Sequence, residues 1–167
     1  MRTSLLVIGG GAAGLMAAIT AAENGAKVWL VEPNERLGKK INITGKGRCN
    51  VTNQCDVDTF LQNVPRNPRF LYSALRLMSP DDLLTLLEGF GCETKVERGR
   101  RAFPVSDKAS DVTRALEKAL RQLGVQIMLN TRVLGLVRNE EGICGVDTDQ
   151  GKMTCKAVIV CTGGVSY

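Results

Sequence analysis

Residues 5–14 read LLVIGGGAAG, and the fold of the chain turns on them. Leu5, Leu6, Val7 and Ile8 make an apolar run of strand type. It passes straight into Gly9, Gly11 and Gly14 at G-x-G-x-x-G spacing, and a small-residue helical stretch follows at once. Each glycine has its own physical task. The first permits a tight strand-to-helix turn, the second leaves no Cβ between backbone and a pyrophosphate, and the third lets the helix lie close on the strand. The helix start, with Ala12 and Ala13 in its first turn, then offers unpaired N–H groups and the positive end of its dipole to an anion.

Working outward, Ala17, Ala18, Ala21 and Ala22 carry a slim helix to a stop at Asn24 and Gly25, and residues 27–31 (KVWLV) form a second apolar strand ending in Glu32. A carboxylate at the tip of that strand accepts hydrogen bonds from both ribose hydroxyls of an adenosine and repels a 2′-phosphate. FAD or NAD therefore fits, and NADP does not. The bland alternative is a glycine-rich βα turn with no ligand; strand, glycines, helix, strand and acid in register argue against it.

A chain of 167 residues can bury a real core as one domain. It stops at residues 162–167 (TGGVSY), immediately after a strand, where a turn is expected to lead into more protein. The expectation is the N-terminal part of a longer enzyme. The net charge of +5 suits nucleotide phosphates, with basic clusters at Lys39 and Lys40 and at residues 98–101 (RGRR). Only 4% of residues are aromatic, and on the expectation that no basic stretch is interleaved with them, nucleic acid is the weaker partner. Arg2 and the apolar stretch to Ala22 imitate a signal peptide, but glycines at fixed spacing and a second strand that needs the first as neighbour argue for a folded βαβ start. No later stretch is apolar enough to span a membrane. Six scattered cysteines without export features point to reduced thiols in the cytoplasm. With no histidine and no C-x-x-C pair, Ser–His triads, His-metal sites and this kind of zinc site are excluded from the segment.

After Glu32 come Pro33 and Asn34, then a long polar stretch at residues 35–53 (ERLGKKINITGKGRCNVTN). Loops of this length in compact domains are functional or disordered. Here Gly45 and Gly47 let backbone approach a flat ligand, Lys40 or Lys46 can meet a phosphate, and Asn50 and Thr52 can hydrogen-bond ring edges. A solvated surface loop is the alternative. Residues 56–89 read as helical packing elements, with Leu71, Leu75 and Met78 at helical spacing and a start signal at Ser79, Pro80 and Asp82. Residues 92–96 (CETKV) alternate like a strand and have a partner in residues 101–104 across a turn at Arg98 and Gly99. Ser106 or Asp107 is expected to cap a helix with Val112, Ala115, Leu116, Ala119, Leu120 and Leu123 on its buried face. Residues 125–129 (VQIML) then form a parallel strand, and residues 132–138, 143–148 and 152–156 an antiparallel meander. Residues 157–161 (AVIVC) read as a separate strand covered on both faces, leading to a turn at Thr162, Gly163 and Gly164.

The GKGRCNVTN segment at residues 45–53, with residues 99–111 (GRRAFPVSDKASD) and 158–164 (VIVCTGG), resembles a bacterial family of NAD(P)/FAD-dependent oxidoreductases. Its members are described as flavoproteins of unknown role, as aminoacetone-oxidase-like, or as of the 3-dehydro-bile-acid delta(4,6)-reductase type. The resemblance covers essentially the whole chain and implies a longer protein with an inserted substrate domain and a returning FAD-binding segment. It also implies that the turn at Thr162 and Gly163 lies beside the FAD diphosphate and ribose, and that Val133 offers its backbone to adenine. Cofactor contacts are thus expected from Gly9, Gly11, Ala12, Ala13, Gly14, Glu32, Pro33, Asn34, Lys39, Lys40, Gly47, Arg48, Cys49, Asn50, Val133, Thr162 and Gly163.

Cys49 and Cys55 sit where a redox dithiol would, but five residues separate them, and a six-residue step does not share a helix face. Arg98, Arg100 and Arg101 fit either an anionic group or a solvated turn. The fold expected is α/β, a Rossmann-like FAD-binding domain of the glutathione-reductase type, with a parallel sheet, crossover helices and an antiparallel meander. The function expected is hydride transfer from NAD(P)H through flavin N5 to a small-molecule substrate such as a conjugated enone. An amine oxidase using oxygen, and a nucleotide-binding module without activity of its own, are the alternatives. No general acid is identified, and the oligomeric state is left open.

Overall fold

The computed structural model describes residues 2–164; residues 165–167, the last part of the turn expected at the chain end, lie outside it. The chain divides into two compact units, residues 1–41 with 116–167, and residues 42–115.

In the first unit, β1 (Arg2–Ile8) runs into α1 (Ala12–Glu23) and on to β2 (Val28–Val31). Gly25 takes a left-handed φ of 81° after the helix, and Ala26 N–H closes onto Ala21 O at 3.0 Å, so the expected stop forms. After the second unit come β6 (Gln126–Met128), β7 (Val133–Asn139), β8 (Gly142–Thr148) and β9 (Gly151–Val160). They join β1 and β2 in one six-stranded sheet of order β6-β2-β1-β9-β8-β7. β6, β2, β1 and β9 are mutually parallel, while β8 and β7 turn back antiparallel.

Strand alternation divides the core between the two faces of this sheet. Leu6, Ile8, Val31, Val146, Met153 and Cys155 cluster on one, with Trp29, Met128, Val133 and Val158 against them. On the other, Val7 and Leu30 pair in register, and α1 packs against β1, β2 and β9 through buried Leu15, Ala18 and Ile19.

The expected separation of residues 152–156 from 157–161 is corrected: β9 is one strand of ten residues. Its first part pairs antiparallel with β8, and the strand pairs parallel with β1 from Thr154 to Val160. No glycine or proline follows Gly151 in the run GKMTCKAVIV, so nothing local ends the strand between its two parts. Coverage on both faces is also corrected. Ile159 and Val160, which point to opposite faces, are 37% and 60% exposed, because the described residues cover neither face completely at the strand's end.

The second unit opens with the 3-10 segment Ile41–Gly47, which begins in the first, and continues through β3 (Thr52–Asn53), α2 (Val57–Gln62), α3 (Pro68–Leu77), α4 (Pro80–Gly89), β4 (Thr94–Glu97) and β5 (Arg101–Pro104). β3, β5 and β4 form a small antiparallel sheet. The capping box expected at α4 is present: Asp82 N–H donates to Ser79 Oγ, and Ser79 N–H donates back to Asp82 Oδ2. α3 departs from its expected packing role. It buries no residue fully, and Phe70 and Leu77 are 85% and 87% exposed.

The helix α5 (Ala109–Gln122) leads back to the first unit, its buried face carrying Val112, Ala115, Leu116, Ala119 and Leu120. Its expected cap is corrected as well. The helix starts at Ala109, one residue beyond reach of the proposed pattern, and the Asp107 carboxylate binds Arg48 and Lys95 instead. Ser106 Oγ accepts only from Lys108 N–H, at 3.3 Å.

Candidate dinucleotide-binding site

The glycine turn performs three separate tasks, and local space tells them apart. Gly9 has φ of 103°, and a Cβ there would stand 2.4 Å from the Cys161 carbonyl oxygen. A Cβ on Gly14 would stand 1.8 Å from the Gly9 carbonyl oxygen, so α1 lies on its own turn too closely for any side chain. Gly11 differs. A Cβ there would meet nothing within 4 Å. Its space opens at the start of α1, where no side chain caps the helix and no acid stands in the first turn. Ala12 and Ala13 are exposed there. The helix end thus keeps its positive partial charge and its N–H donors uncompensated, which is what a diphosphate requires.

Glu32 directly follows β2, with its main chain clamped on both sides. Its N–H donates to Met128 O at 2.8 Å, and its carbonyl accepts from Thr131 N–H at 3.0 Å. The side chain is only 7% exposed and faces the glycine turn, where Oε2 accepts from Gly10 N–H at 2.6 Å. Oε1 accepts from both Asn34 donors, N–H at 3.0 Å and Nδ2 at 2.5 Å. Asn34 Oδ1 in turn accepts from Lys39 Nζ at 3.1 Å. Pro33 is exposed between these two anchors.

The turn after β9 lies beside the same glycines. Cys161 N–H donates to Ile8 O at 2.8 Å, Thr162 and Gly163 are exposed, and Lys40 Nζ stands 3.8 Å from where a Cβ on Gly163 would be. Val133 begins β7, two residues past the Thr131 N–H that bonds Glu32. The structure therefore gathers the glycine turn, Glu32, Asn34, Lys39, Lys40 and the 161–163 turn in the first unit. Gly10 and Leu37 were missed by the sequence: Gly10 O accepts from Gly38 N–H at 2.8 Å, and a Cβ on Gly10 would stand 2.4 Å from Leu37 Cδ2. For Gly10 the available signal was a glycine at the x position between Gly9 and Gly11.

Gly47, Arg48, Cys49 and Asn50 belong to the second unit. Gly45, Lys46, Gly47 and Cys49 all take left-handed φ, of 56°, 58°, 85° and 58°. Two of them are not glycine, and strain of this kind persists only where surroundings hold it. Arg48 supplies that hold. Its guanidinium binds Glu97 and Asp107 and stacks 4.3 Å over Phe103. Lys95 Nζ joins Asp107 at 2.7 Å. The Lys95 and Arg48 partners keep the Asp107 carboxyl below its usual range, and Arg48 does the same for Glu97. Asn50 is exposed. In the 98–101 cluster, Arg101 Nε is committed to Arg98 O, and its guanidinium lies 5.7 Å from the Phe103 ring.

Cys49 and Cys55 are both unbridged and buried, and burial pushes both thiols up. A redox dithiol needs the opposite shift. Among the described residues no cluster of acids and cysteines could hold a metal, and no helix is long and apolar enough to cross a membrane.

The sequence expectation also overlooked residues 66–76. Arg66, Arg69, Phe70, Tyr72 and Arg76 are all exposed on and before α3, with Arg76 5.2 Å over the Tyr72 ring. Basic and aromatic residues are interleaved here after all.

Residues 3–167 match the HI0933-like protein Rossmann domain. The chain is 36% identical over 160 residues to the 3-dehydro-bile acid delta(4,6)-reductase of Clostridium scindens, covering 95% of this chain and 38% of that protein. It is 28% identical to the ribosomal RNA dihydrouridine synthase of Escherichia coli, over 99% of this chain and 40% of that protein. Among solved structures, the Escherichia coli quinol fumarate reductase subunit FrdA superposes with a TM-score of 0.76 at 17% identity, over 98% of this chain and 33% of that one, which is a likeness of fold. The chain spans about two fifths of the length of the curated relatives it matches. Fold, glycine turn and similarity together place this chain in the HI0933-like Rossmann-domain family of FAD-binding oxidoreductases.

Proposed function

We propose that this chain holds the adenine half of FAD in a reductase that takes hydride from NAD(P)H and delivers it to a carbon–carbon double bond conjugated with a carbonyl. One observation carries the reading: a Cβ on Gly11 would meet nothing within 4 Å among the described residues, at an uncapped helix start beside the Gly10 N–H that the Glu32 carboxylate holds. Ala12, Ala13 and Gly14 would bind the diphosphate through main-chain N–H groups, with helix polarity in place of a basic side chain. Glu32 would fix the ribose, and its negative charge would exclude a 2′-phosphate there. Gly9 and Gly14 also hold the turn in shape by close packing, which leaves no room for a Cβ at either position. The bound flavin supplies the hydride chemistry. The names of the relatives support a reductive direction, since one is a reductase and the other makes a dihydro product. We place the substrate among small organic molecules and the protein in the cytoplasm, the latter on its six unbridged cysteines.

The test is anaerobic. Protein reconstituted with FAD should bleach on addition of NADH or NADPH and recover colour when an enone is added. Protein that takes up no FAD refutes the reading, and flavin that bleaches with an amine but not with NAD(P)H replaces it with an oxidase.

A second reading has an observation of its own. The exposed Arg66, Arg69, Phe70, Tyr72 and Arg76 offer charge for phosphates and rings for stacking, so the unsaturated group could be a base within RNA. Filter binding of a ribosomal RNA fragment would then weaken steeply with salt and be reduced by Arg69→Ala and Phe70→Ala.

A further inference from the structure

The geometry around Glu32 points to a shared reading of the ribose diol, in which Asn34 accepts one hydroxyl and Glu32 the other, with Lys39 holding the Asn34 amide in place. The inference rests on the dinucleotide reading above and deepens it.

A carboxylate offers about four acceptor positions, two on each oxygen. Three are already taken in this structure. Oε1 accepts from Asn34 N–H and Asn34 Nδ2, and Oε2 accepts from Gly10 N–H. One position remains, on Oε2. The two-hydroxyl role expected for Glu32 from sequence therefore exceeds what its carboxylate has left, unless Asn34 gives way.

Asn34 is well held. Its main chain donates to Glu32 Oε1 and its carbonyl accepts from Asn130 N–H at 3.0 Å. The orientation of its amide follows from its two neighbours, because a carboxylate can only accept and an ammonium can only donate. Nδ2 must face Glu32, and Oδ1 must face Lys39. Oδ1 uses one lone pair on Lys39 Nζ and keeps the second. A half-buried side chain that keeps a free acceptor is thus hydrogen-bonded to the carboxylate that keeps the other. Two acceptors on hydrogen-bonded neighbours suit the two neighbouring O–H donors of a ribose. A lone carboxylate with one free position does not. Lys39 is exposed, so its contribution is to fix which way the amide points rather than to support the fold.

The experiment measures binding of ADP, 2′-deoxy-ADP and 3′-deoxy-ADP by calorimetry, together with a ligand-free thermal melt. The parent should bind ADP, and each deoxy analogue should bind roughly tenfold more weakly, as expected for one lost hydrogen bond in a partly buried site. In Asn34→Ala, ADP should weaken to match one deoxy analogue, while the penalty for the other persists. Lys39→Met should shrink the same single penalty with an unchanged melt. Both penalties persisting in full in Asn34→Ala, or both vanishing together, overturns the assignment of Asn34 while leaving the nucleotide site standing. A parent that binds neither ADP nor FAD overturns the dinucleotide reading and this inference with it.

Discussion

Two glycines of one motif should fail in opposite ways when given a methyl group. Alanine at position 14 would place its Cβ 1.8 Å from the Gly9 carbonyl oxygen, whereas ordinary contacts of this kind begin above 3 Å. Relief demands that α1 and the turn separate by more than 1 Å, with backbone on both sides and no flexible side chain to yield. Overpacking in a core costs about 1–3 kcal/mol where side chains can shift, and the cost here should reach about 3 kcal/mol or more. At about 2–4 °C per kcal/mol for a chain of this size, Gly14→Ala should lower the melting temperature by about 6–12 °C, or prevent folding. Gly11→Ala meets nothing within 4 Å, at an N-cap φ of −80° that alanine adopts freely. Its cost is about 0.5–1 kcal/mol from the cap preference for glycine over alanine, a melting shift of about 1–4 °C. The methyl group would, however, occupy the space assigned to the diphosphate, so FAD should bind at least about tenfold more weakly. Differential scanning fluorimetry without ligand, paired with flavin titration, separates the two effects. A Gly11→Ala protein that melts normally and binds FAD as the parent does would refute the placement of the diphosphate. A Gly14→Ala protein of unchanged stability would refute the packing argument.

Glu32→Ala removes the acceptor of the buried Gly10 N–H, at about 1–3 kcal/mol, so it should lower ligand-free stability as well as flavin affinity; equal melts would show the carboxylate to be less engaged than its geometry indicates. Arg48→Met should destabilise the protein in a pH-dependent way. Lys95 and Arg48 hold Asp107, and Arg48 holds Glu97, below their ordinary values of 3.8 and 4.5. The stability this gives is present above those values and lost as pH falls through the lower folded ones, so the melting gap between parent and Arg48→Met should be constant near neutrality and narrow progressively as pH falls below about 5. A gap that stays constant would leave packing over Phe103 as the whole contribution. Burial pushes the Cys49 and Cys55 thiols up, so alkylation by iodoacetamide near about pH 8 should be slow in the folded protein and fast in urea; rapid labelling of either would reopen the dithiol reading.

Much of the first unit was legible in local pattern. Residues 5–32 encode strand, turn, helix and strand within one short span, and every signal there is local: an apolar run, glycines at fixed spacing, alanines, then a helix stop at Asn24 and Gly25. The hairpin at residues 94–104 and the capping box at Ser79 were legible for the same reason. Misreadings arose where the answer depends on partners distant in sequence. The continuity of β9 comes from pairing with β8 and β1 together, and the exposure of α3 comes from what does and does not pack on it.

The motif by itself identified a dinucleotide site, because backbone conformation and the absence of a Cβ are properties of residue type. Tertiary structure alone decided how much acceptor capacity Glu32 retains, since that depends on Gly10, 22 residues away, and on the rotamer of Asn34. It alone decided that Arg48 braces a left-handed loop through Glu97 and Asp107, residues 49 and 59 positions on. Sequence spacing reports which groups a chain carries; only folding brings distant donors and acceptors within hydrogen-bond reach, and that sets which of them are already spent.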